Sequence, residues 1–389
     1  MLPPYLTCLS IPRMGLPLAQ QATKLSVALC FSLALTAIAD SPSLPGVRIG
    51  LLLPAREAAA RSIRQGAELS AQMASDQLGI PIRILARAPA GQWGGDGEEA
   101  AQLVLDENVD ALIAPPEGIA SHLLLQVSGR TSVPVATLCP DSSVTRAGIP
   151  WMVRVAPRTD EQARALFQGL ARGAVRPSRW IALVPPERPG REAARDLREA
   201  AGATGNQLVG IVAASTQPVD WAADANRLLT NRPDAVLLWL DADAAANAAR
   251  ALRDAGFAGL LAGPACLQTP AFTAAAGKAA EGVVSPETVR SQAKESAFAR
   301  FQSCYQARFG CLPDYYAALA HDAVTWAATK IPPPPAPAPH GPSHVVSAKP
   351  SAEAQLMFDL KGNCLRQLGL SVCRGGVWVR DPRTDTKTN

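Results

Sequence analysis

The stretch VDALIAPPEGIASHLLLQVSGRTSVPVATL, residues 109–138, holds the pattern that decides the fold. An apolar run, Ala111 to Ile113, stops at two prolines, a helix-like segment follows, and VPVATL has the pattern of a second strand. A strand that leads through a helix to another strand is typical of a parallel sheet. The turn between them directs the N–H groups of a helix N-terminus beyond the sheet edge. We therefore expect Glu117 and Gly118, in this turn, to bind a ligand.

The same alternation of strand and helix extends in both directions from this stretch. It begins with VRIGLLLP at residue 47 and restarts after WMVRVAP, residues 151–157, through the strand patterns RWIALVPP, DAVLLWL and GLLAG. Two such series in 389 residues predict an α/β fold with two parallel-sheet, Rossmann-like lobes. Ligands of such sheets bind outside the carboxyl ends of the strands, so facing lobes would share a cleft.

The composition and the motifs argue against several other classes of function. The net charge is +4, and no Lys/Arg cluster interleaves with aromatic residues, which argues against a nucleic-acid partner. Four histidines, without HExxH or CxxC, argue against a metal site. The sequence has no GxSxG elbow, and GQWGGDG is not a GxGxxG loop. We expect neither an enzyme nor a cofactor.

The first 39 residues have the pattern of a cleaved signal peptide. Lys24 precedes the apolar run LSVALCFSLALTAIA, which ends in Ala37-Ile38-Ala39, an A-x-A cleavage site. The run is short for a membrane span. Met1 and Met14 are alternative starts, and an uncleaved anchor or a buried helix is the alternative interpretation. The pattern predicts cleavage near Ala39 and a periplasmic location in a cell with an outer membrane.

Six of the eight cysteines lie beyond this signal peptide. An even number in an exported chain favours disulfides. Cys364 and Cys373 flank Leu368-Gly369, where a hairpin would place them opposite each other. A second pair, Cys304 and Cys311, would meet if the chain turned back after a helix ending at Gly310.

Several longer stretches carry a family resemblance. The stretches VRIGLLLP, GAELSAQ and MVRVAPRTDEQARAL fit a first lobe and its crossing segment, and FQSCYQARFGCLPDYYAALAHDAV has a helix, a Gly-x-x-Pro turn and a second helix. The chain resembles the type I periplasmic binding proteins of ABC transporters, in the leucine, branched-chain amino acid and amide group. The resemblance implies three crossings between two discontinuous lobes that close like a hinge. The implied divisions are a signal peptide (1–39), lobe 1 (47–156 plus 284–331), lobe 2 (157–283 plus 343–380), a proline-rich loop (332–342) and a disordered tail (381–389).

The family's ligand contacts do not transfer by residue identity. In this family, Ser or Thr hydroxyls hold an amino acid's carboxylate, but here the first turn reads Pro116-Glu117-Gly118. Glu117 would repel a carboxylate, unless it faces solvent at the helix start. Asp241 either replaces the family's ammonium-binding acid or caps a helix. The candidate ligand-binding residues are Trp93, Glu117, Gly118, Cys139, Pro140, Arg188, Asp241 and Cys266.

The resemblance predicts a monomeric solute-binding protein that binds a small polar or amino-acid-like ligand and delivers it to the membrane permease of an ABC transporter. Cys139 and Cys266 would give the pocket an apolar wall, or would be buried thiols without a ligand role. The alternative is an accessory or sensory protein of the same fold, with a degenerate pocket, that acts by protein contact.

Overall fold

Two β-sheets organise the residues that the computed structural model describes: 46–88, 94–146, 148–172, 176–216, 218–290, 296–329 and 356–381. The strands are β1 (Val47–Leu52), β2 (Ile82–Arg87), β3 (Ala111–Ala114), β4 (Val135–Thr137), β5 (Met152–Arg154), β6 (Arg179–Val184), β7 (Gln207–Ala213), β8 (Ala235–Leu238), β9 (Leu260–Ala262), β10 (Val284–Thr288), β11 (Leu368–Arg374) and β12 (Val377–Arg380). The helices are α1 (Glu57–Leu78), α2 (Gly95–Leu105), α3 (Gly118–Thr131), α4 (Thr159–Ala171), α5 (Arg188–Thr204), α6 (Trp221–Leu229), α7 (Ala242–Asp254), α8 (Pro270–Ala276), α9 (Ala297–Phe309) and α10 (Tyr315–Thr329).

The first sheet is parallel throughout, in the order β2-β1-β3-β4-β5. Its strands are apolar on both faces because helices cover both faces. Ile49 and Leu51 pack against α1 and α10, whereas Leu52 and Leu112 pack against α2 and α3. This sheet and its helices form lobe 1.

The second sheet has the order β12-β11-β10-β9-β8-β6-β7, in which β11 pairs antiparallel with both β10 and β12 and the other pairs are parallel. Helices α4 and α5 pack on one face, and α6, α7 and α8 on the other. The predicted two-sheet α/β fold is confirmed. The predicted start of the second lobe 1 segment at residue 284 is wrong, because β10 pairs with β9 and β11 and so belongs to lobe 2.

The hairpin predicted around Leu368-Gly369 is also wrong. Both residues lie inside β11, and the hairpin turns at Gly375-Gly376, where both φ values are positive (56° and 78°). Such a turn matches the twist of paired strands, and glycine adopts it without strain. Cys364 lies outside this hairpin, and Cys373 is opposite Trp378.

All six cysteines of the described residues are free thiols, so neither predicted disulfide is formed in the structure. The predicted end of α9 is present, since Gly310 has a φ of 73° just after Phe309. The chain then leads into α10 instead of turning back on α9, and both Cys304 and Cys311 are exposed.

The chain passes between the two sheets three times. The first crossing joins β5 to α4, the second joins β10 to α9, and the third leads from the segment beginning at Leu356 to β11. Buried polar contacts hold these crossings together. Arg154 pairs with Asn363 as a β-bridge between the first and third crossings. Asp322, on α10, binds Arg290 of the second crossing and Arg366 of the third.

Several predictions fall on residues outside the described ranges. They are the signal peptide, the proline-rich loop, Trp93 and all but the first residue of the tail. Among the helices that the structure describes, none combines the length and the apolar character needed to cross a bilayer.

Candidate functional site

A cavity of about 440 Å³ lies between the lobes, at the carboxyl ends of strands from both sheets. Lobe 1 contributes the turns after β1, β3 and β4, and lobe 2 contributes the turns after β6, β8 and β9. This is the edge where parallel α/β sheets bind ligands. The volume falls in the range of small-molecule sites.

Seven of the eight candidate residues line this one cavity, and Trp93 lies outside the described residues. The seven come from five separate turns, so the strand topology brings them together. They are Glu117, Gly118, Cys139, Pro140, Arg188, Asp241 and Cys266.

Glu117 occupies the N-cap position of α3, but its side chain makes no capping hydrogen bond. It lines the cavity and remains accessible to solvent. Loss of hydration raises the pKa of this carboxyl, although a backbone hydrogen bond and the charge of Arg56 act in the opposite direction. The nearby Asp141 carboxylate would lie 3.0 Å from a Cβ atom on Gly118. The predicted anion-binding turn therefore has a carboxylate on either side.

The Asp241 side chain both caps a helix and forms an ion pair with an arginine. Its Oδ1 accepts a hydrogen bond from Ala244 N at 3.0 Å, which caps α7. Its Oδ2 accepts from Arg56 Nη2 at 2.6 Å, and this contact joins lobe 2 to lobe 1. Burial alone would raise the pKa of Asp241, but these bonds outweigh it and lower the pKa. The capping interpretation of Asp241 is confirmed, and its second oxygen is held by Arg56.

Two further polar contacts bridge the lobes beside the cavity. Arg188 Nη2, on α5, lies 3.5 Å from His122 Nε2 on α3. Burial and the charge of Arg188 lower the pKa of His122, which favours the neutral ring. Arg195 donates to Ser142 Oγ at 3.1 Å. With Arg56–Asp241, these contacts join the two lobes beside the cavity.

The two cysteines lie on opposite walls of the cavity. Cys139 follows β4 and is 2% exposed, and Cys266 follows β9 and is half-buried. Burial raises the pKa of each thiol to about 12, so both are protonated at neutral pH. Leu138, Leu240 and Trp239 also line the cavity, so much of its wall is apolar.

We expect Cys139 and Cys266 to resist alkylation after reduction of the protein. The thiolate is the reactive form, and a pKa near 12 leaves little of it at about pH 8. Cys304 and Cys311 are exposed and should react first. Peptide mass spectrometry after a short iodoacetamide pulse would measure this order. Equal labelling of Cys266 and Cys304 would contradict it.

Most of the lining residues were not predicted from the sequence, and three of them, Arg56, Tyr315 and Tyr316, are prominent in the site. Arg56 follows β1, and its position after a strand end could have identified it. The two tyrosines begin α10, which comes from a distant part of the chain, and no local pattern places them at the cavity. Their rings lie 5.3 Å apart, edge to face.

Among the described residues, no group of three or more His, Cys, Asp or Glu side chains is arranged to hold a metal ion. The arrangement instead offers a cleft between the lobes with apolar walls, aromatic rings and a set of charged groups. Such a cavity can bind a small organic molecule between two lobes.

Comparison with known structures shows the same fold in solute-binding proteins. The leucine-binding protein LivK of Thermotoga maritima has a TM-score of 0.71 at 17% identity, over 86% of this chain and 97% of that one. The branched-chain amino acid binding protein LivJ of Streptococcus pneumoniae, in complex with isoleucine, has a TM-score of 0.70 at 15% identity, over 86% and 100%. A solute-binding protein of an ABC transporter from R. palustris, in complex with benzoate, has a TM-score of 0.70 at 18% identity, over 86% and 95%.

No curated protein is a significant match to the sequence. The sequence model of the family described as "Periplasmic binding protein" matches residues 46–330. That range includes both sheets except β11 and β12, and it includes every described residue that lines the cavity. The chain therefore belongs to this periplasmic binding protein family.

Proposed function

We propose that this chain is an exported solute-binding protein of an ABC transporter, which binds a small polar or amino-acid-like molecule with an apolar part between its lobes. The observation that carries the proposal is the cavity of about 440 Å³ at the carboxyl ends of strands from both sheets. The A-x-A site after the apolar run supports export. The structurally similar proteins, which bind leucine, isoleucine or benzoate, support a solute as the ligand.

The alternative, an accessory protein with a degenerate pocket, predicts little space between the lobes. The cavity is large enough for a ligand and brings charged and apolar side chains together. These features favour a binding role over protein contact alone.

A thermal-shift screen against a broad library of amino acids, amines, aromatic acids and amides tests the proposal. A ligand that binds only the folded protein stabilises it by about 2.7 kcal/mol at a concentration of 100 times its Kd. A saturable shift in Tm, confirmed by calorimetry, would support a solute-binding role. If no solute in the library raised the Tm, the accessory alternative would replace this proposal.

We expect Arg56→Ala to favour the open arrangement of the lobes. The Arg56–Asp241 contact joins them at 2.6 Å, with the two side chains 50% and 31% exposed. A pair this exposed contributes about 0.2–1 kcal/mol, which would change the ratio of open to closed protein by up to roughly fivefold. Small-angle scattering should show a larger radius of gyration for the variant. Arg61→Ala, one turn along α1, is the matched control, because Arg61 pairs with Glu57 of its own helix. Equal radii for both variants would contradict this role.

A further inference from the structure

Of the helices whose N-terminal residues line the cavity, three have an acid at the N-cap, whereas α1 has Arg56 at this position. Glu117 precedes α3, Glu187 precedes α5 and Asp241 precedes α7. All three line the cavity. A helix N-terminus attracts anions through its free N–H groups and its dipole. Here a carboxylate side chain stands at these three positions, which opposes the binding of an anion there.

The charges around the cavity do not balance. Among the described lining residues there are six acids and two arginines: Glu117, Asp141, Glu187, Glu192, Asp196, Asp241, Arg56 and Arg188. Arg56 pairs with Asp241, and Arg195, just outside the cavity, pairs with Glu192 and Asp196.

The remaining acids have no ion-pair partner within the described part of the chain. They are Glu117, Asp141 and Glu187. The charge of Arg56 acts on Glu117 and that of Arg154 on Asp141, but neither arginine forms an ion pair with these acids. Asp141 does accept a hydrogen bond from Ser143 N at 2.8 Å. Partial loss of hydration raises the pKa of Glu117, and the charge of Arg56 only partly offsets this.

The rest of the wall suits an apolar body. Trp239, Tyr315 and Tyr316 line the cavity together with the two protonated thiols. Aromatic rings attract cations through their electron-rich faces as well as by apolar contact. Carboxylates and aromatic rings together are complementary to an organic cation.

We propose that the ligand of this cavity is a small organic cation, an amine or quaternary ammonium group on an apolar body, bound by Glu117 and Asp141 on either side of Gly118. This inference rests on the proposed solute-binding function of the same cavity. It separates this chain from its structural neighbours, whose complexes hold the zwitterions isoleucine and leucine and the anion benzoate. The carboxylates beside α3 would repel benzoate and the carboxylate of an amino acid.

Calorimetry with matched probes tests the ligand class. Benzylamine, benzyl alcohol and benzoate share one body, as do hexylamine, hexanol and hexanoate, and L-leucine supplies a zwitterion. We expect each amine to bind at least about tenfold more tightly than its alcohol, and each carboxylate not to bind. Tighter binding of a carboxylate or of leucine would overturn the cation inference and leave the solute-binding proposal standing. If no probe bound, the cation inference would fail. The solute-binding proposal would still be tested separately, by the thermal-shift screen.

Two variants test the assigned residues. Glu117→Gln and Asp141→Asn should each weaken amine binding by about tenfold, because a hydrogen bond between charged groups is lost, and should leave the alcohol unaffected. Glu199→Gln, an exposed change on α5 outside the cavity, is the control and should bind like the parent protein. Unchanged Tm values without ligand would show that the variants fold. Equal amine affinity in all three variants would overturn the assignment of Glu117 and Asp141 as the residues that bind the cation.

Discussion

Replacement of Asp322 by alanine should lower the free energy of unfolding by about 3–5 kcal/mol, the usual cost of removing one partner from a buried ion pair. Asp322 is 4% exposed. Its carboxylate accepts hydrogen bonds from Arg290 at 2.7 and 2.9 Å and pairs with Arg366 at 2.8 Å. The variant would leave the guanidinium groups of Arg290 and Arg366, whose side chains are 16% and 6% exposed, without this carboxylate. Denaturant unfolding measures the loss.

Asp76→Ala is the matched control, because Asp76 is exposed near the end of α1. Its effect should stay within about 0.5 kcal/mol. A loss of less than about 1 kcal/mol for Asp322→Ala would mean that Asp322 does not hold the crossings together.

The effect of Asp322 should depend on pH. Burial alone would raise the pKa of this carboxyl, but Arg290 and Arg366 outweigh burial and hold the pKa well below its ordinary value. The stabilising effect is therefore complete above the unfolded-state pKa of about 3.9, and it is lost as the pH falls from there toward the lower folded-state pKa. The difference in stability between parent and variant should narrow over that acidic range.

Replacement of Gly190 by alanine should cost about 1–3 kcal/mol of stability and weaken ligand binding. A Cβ atom at this position would lie 1.7 Å from Pro185 O and 2.7 Å from Pro185 C. Both are backbone atoms, so no side-chain rotation relieves the overlap. The turn from Pro185 to Arg188 would have to move, and its residues line the cavity.

Gly202→Ala on the same helix is the control for Gly190. A Cβ atom there meets nothing within 4 Å. Alanine is favoured over glycine in a helix, so this change should stabilise the protein by roughly 0.5–1 kcal/mol. Urea unfolding should show that the free energy of unfolding falls in the Gly190→Ala variant and rises in the Gly202→Ala variant. A stabilising Gly190→Ala change would contradict the packing described for this turn.

The sequence predicted the parts of the fold that depend on local pattern. The apolar strands and the amphipathic helices between them predicted two parallel sheets, and strand ends such as those before Glu117 and Asp241 predicted the cavity wall. The pairing between strands that are distant in the sequence was harder to predict. Residue 284 begins a strand of lobe 2 and not a segment of lobe 1. This assignment depends on the pairing of that strand with β9 and β11, which lie elsewhere in the sequence. The hairpin prediction overlooked Gly375-Gly376, a recognised two-residue turn.

The site was predicted less completely than the fold, for a physical reason. Side chains in a turn after a strand can be assigned to the sheet edge from local sequence alone. Tyr315 and Tyr316 reach the cavity only because α10 packs on α1 of lobe 1. The pairing of Arg56 with Asp241 requires two lobes in contact. Neither relation is encoded within one stretch of sequence.

The three crossings also determine the order in which the protein can fold during synthesis. The five strands of the first sheet are complete by Arg154, but α10, which covers Ile49 and Leu51, begins only at Tyr315. Until the ribosome has released that helix, one apolar face of the first sheet is covered only in part, by α1. The second sheet gains five of its seven strands, β6 to β10, in the meantime. The lobe that begins first along the chain is therefore unable to complete its core until most of the other lobe has been made.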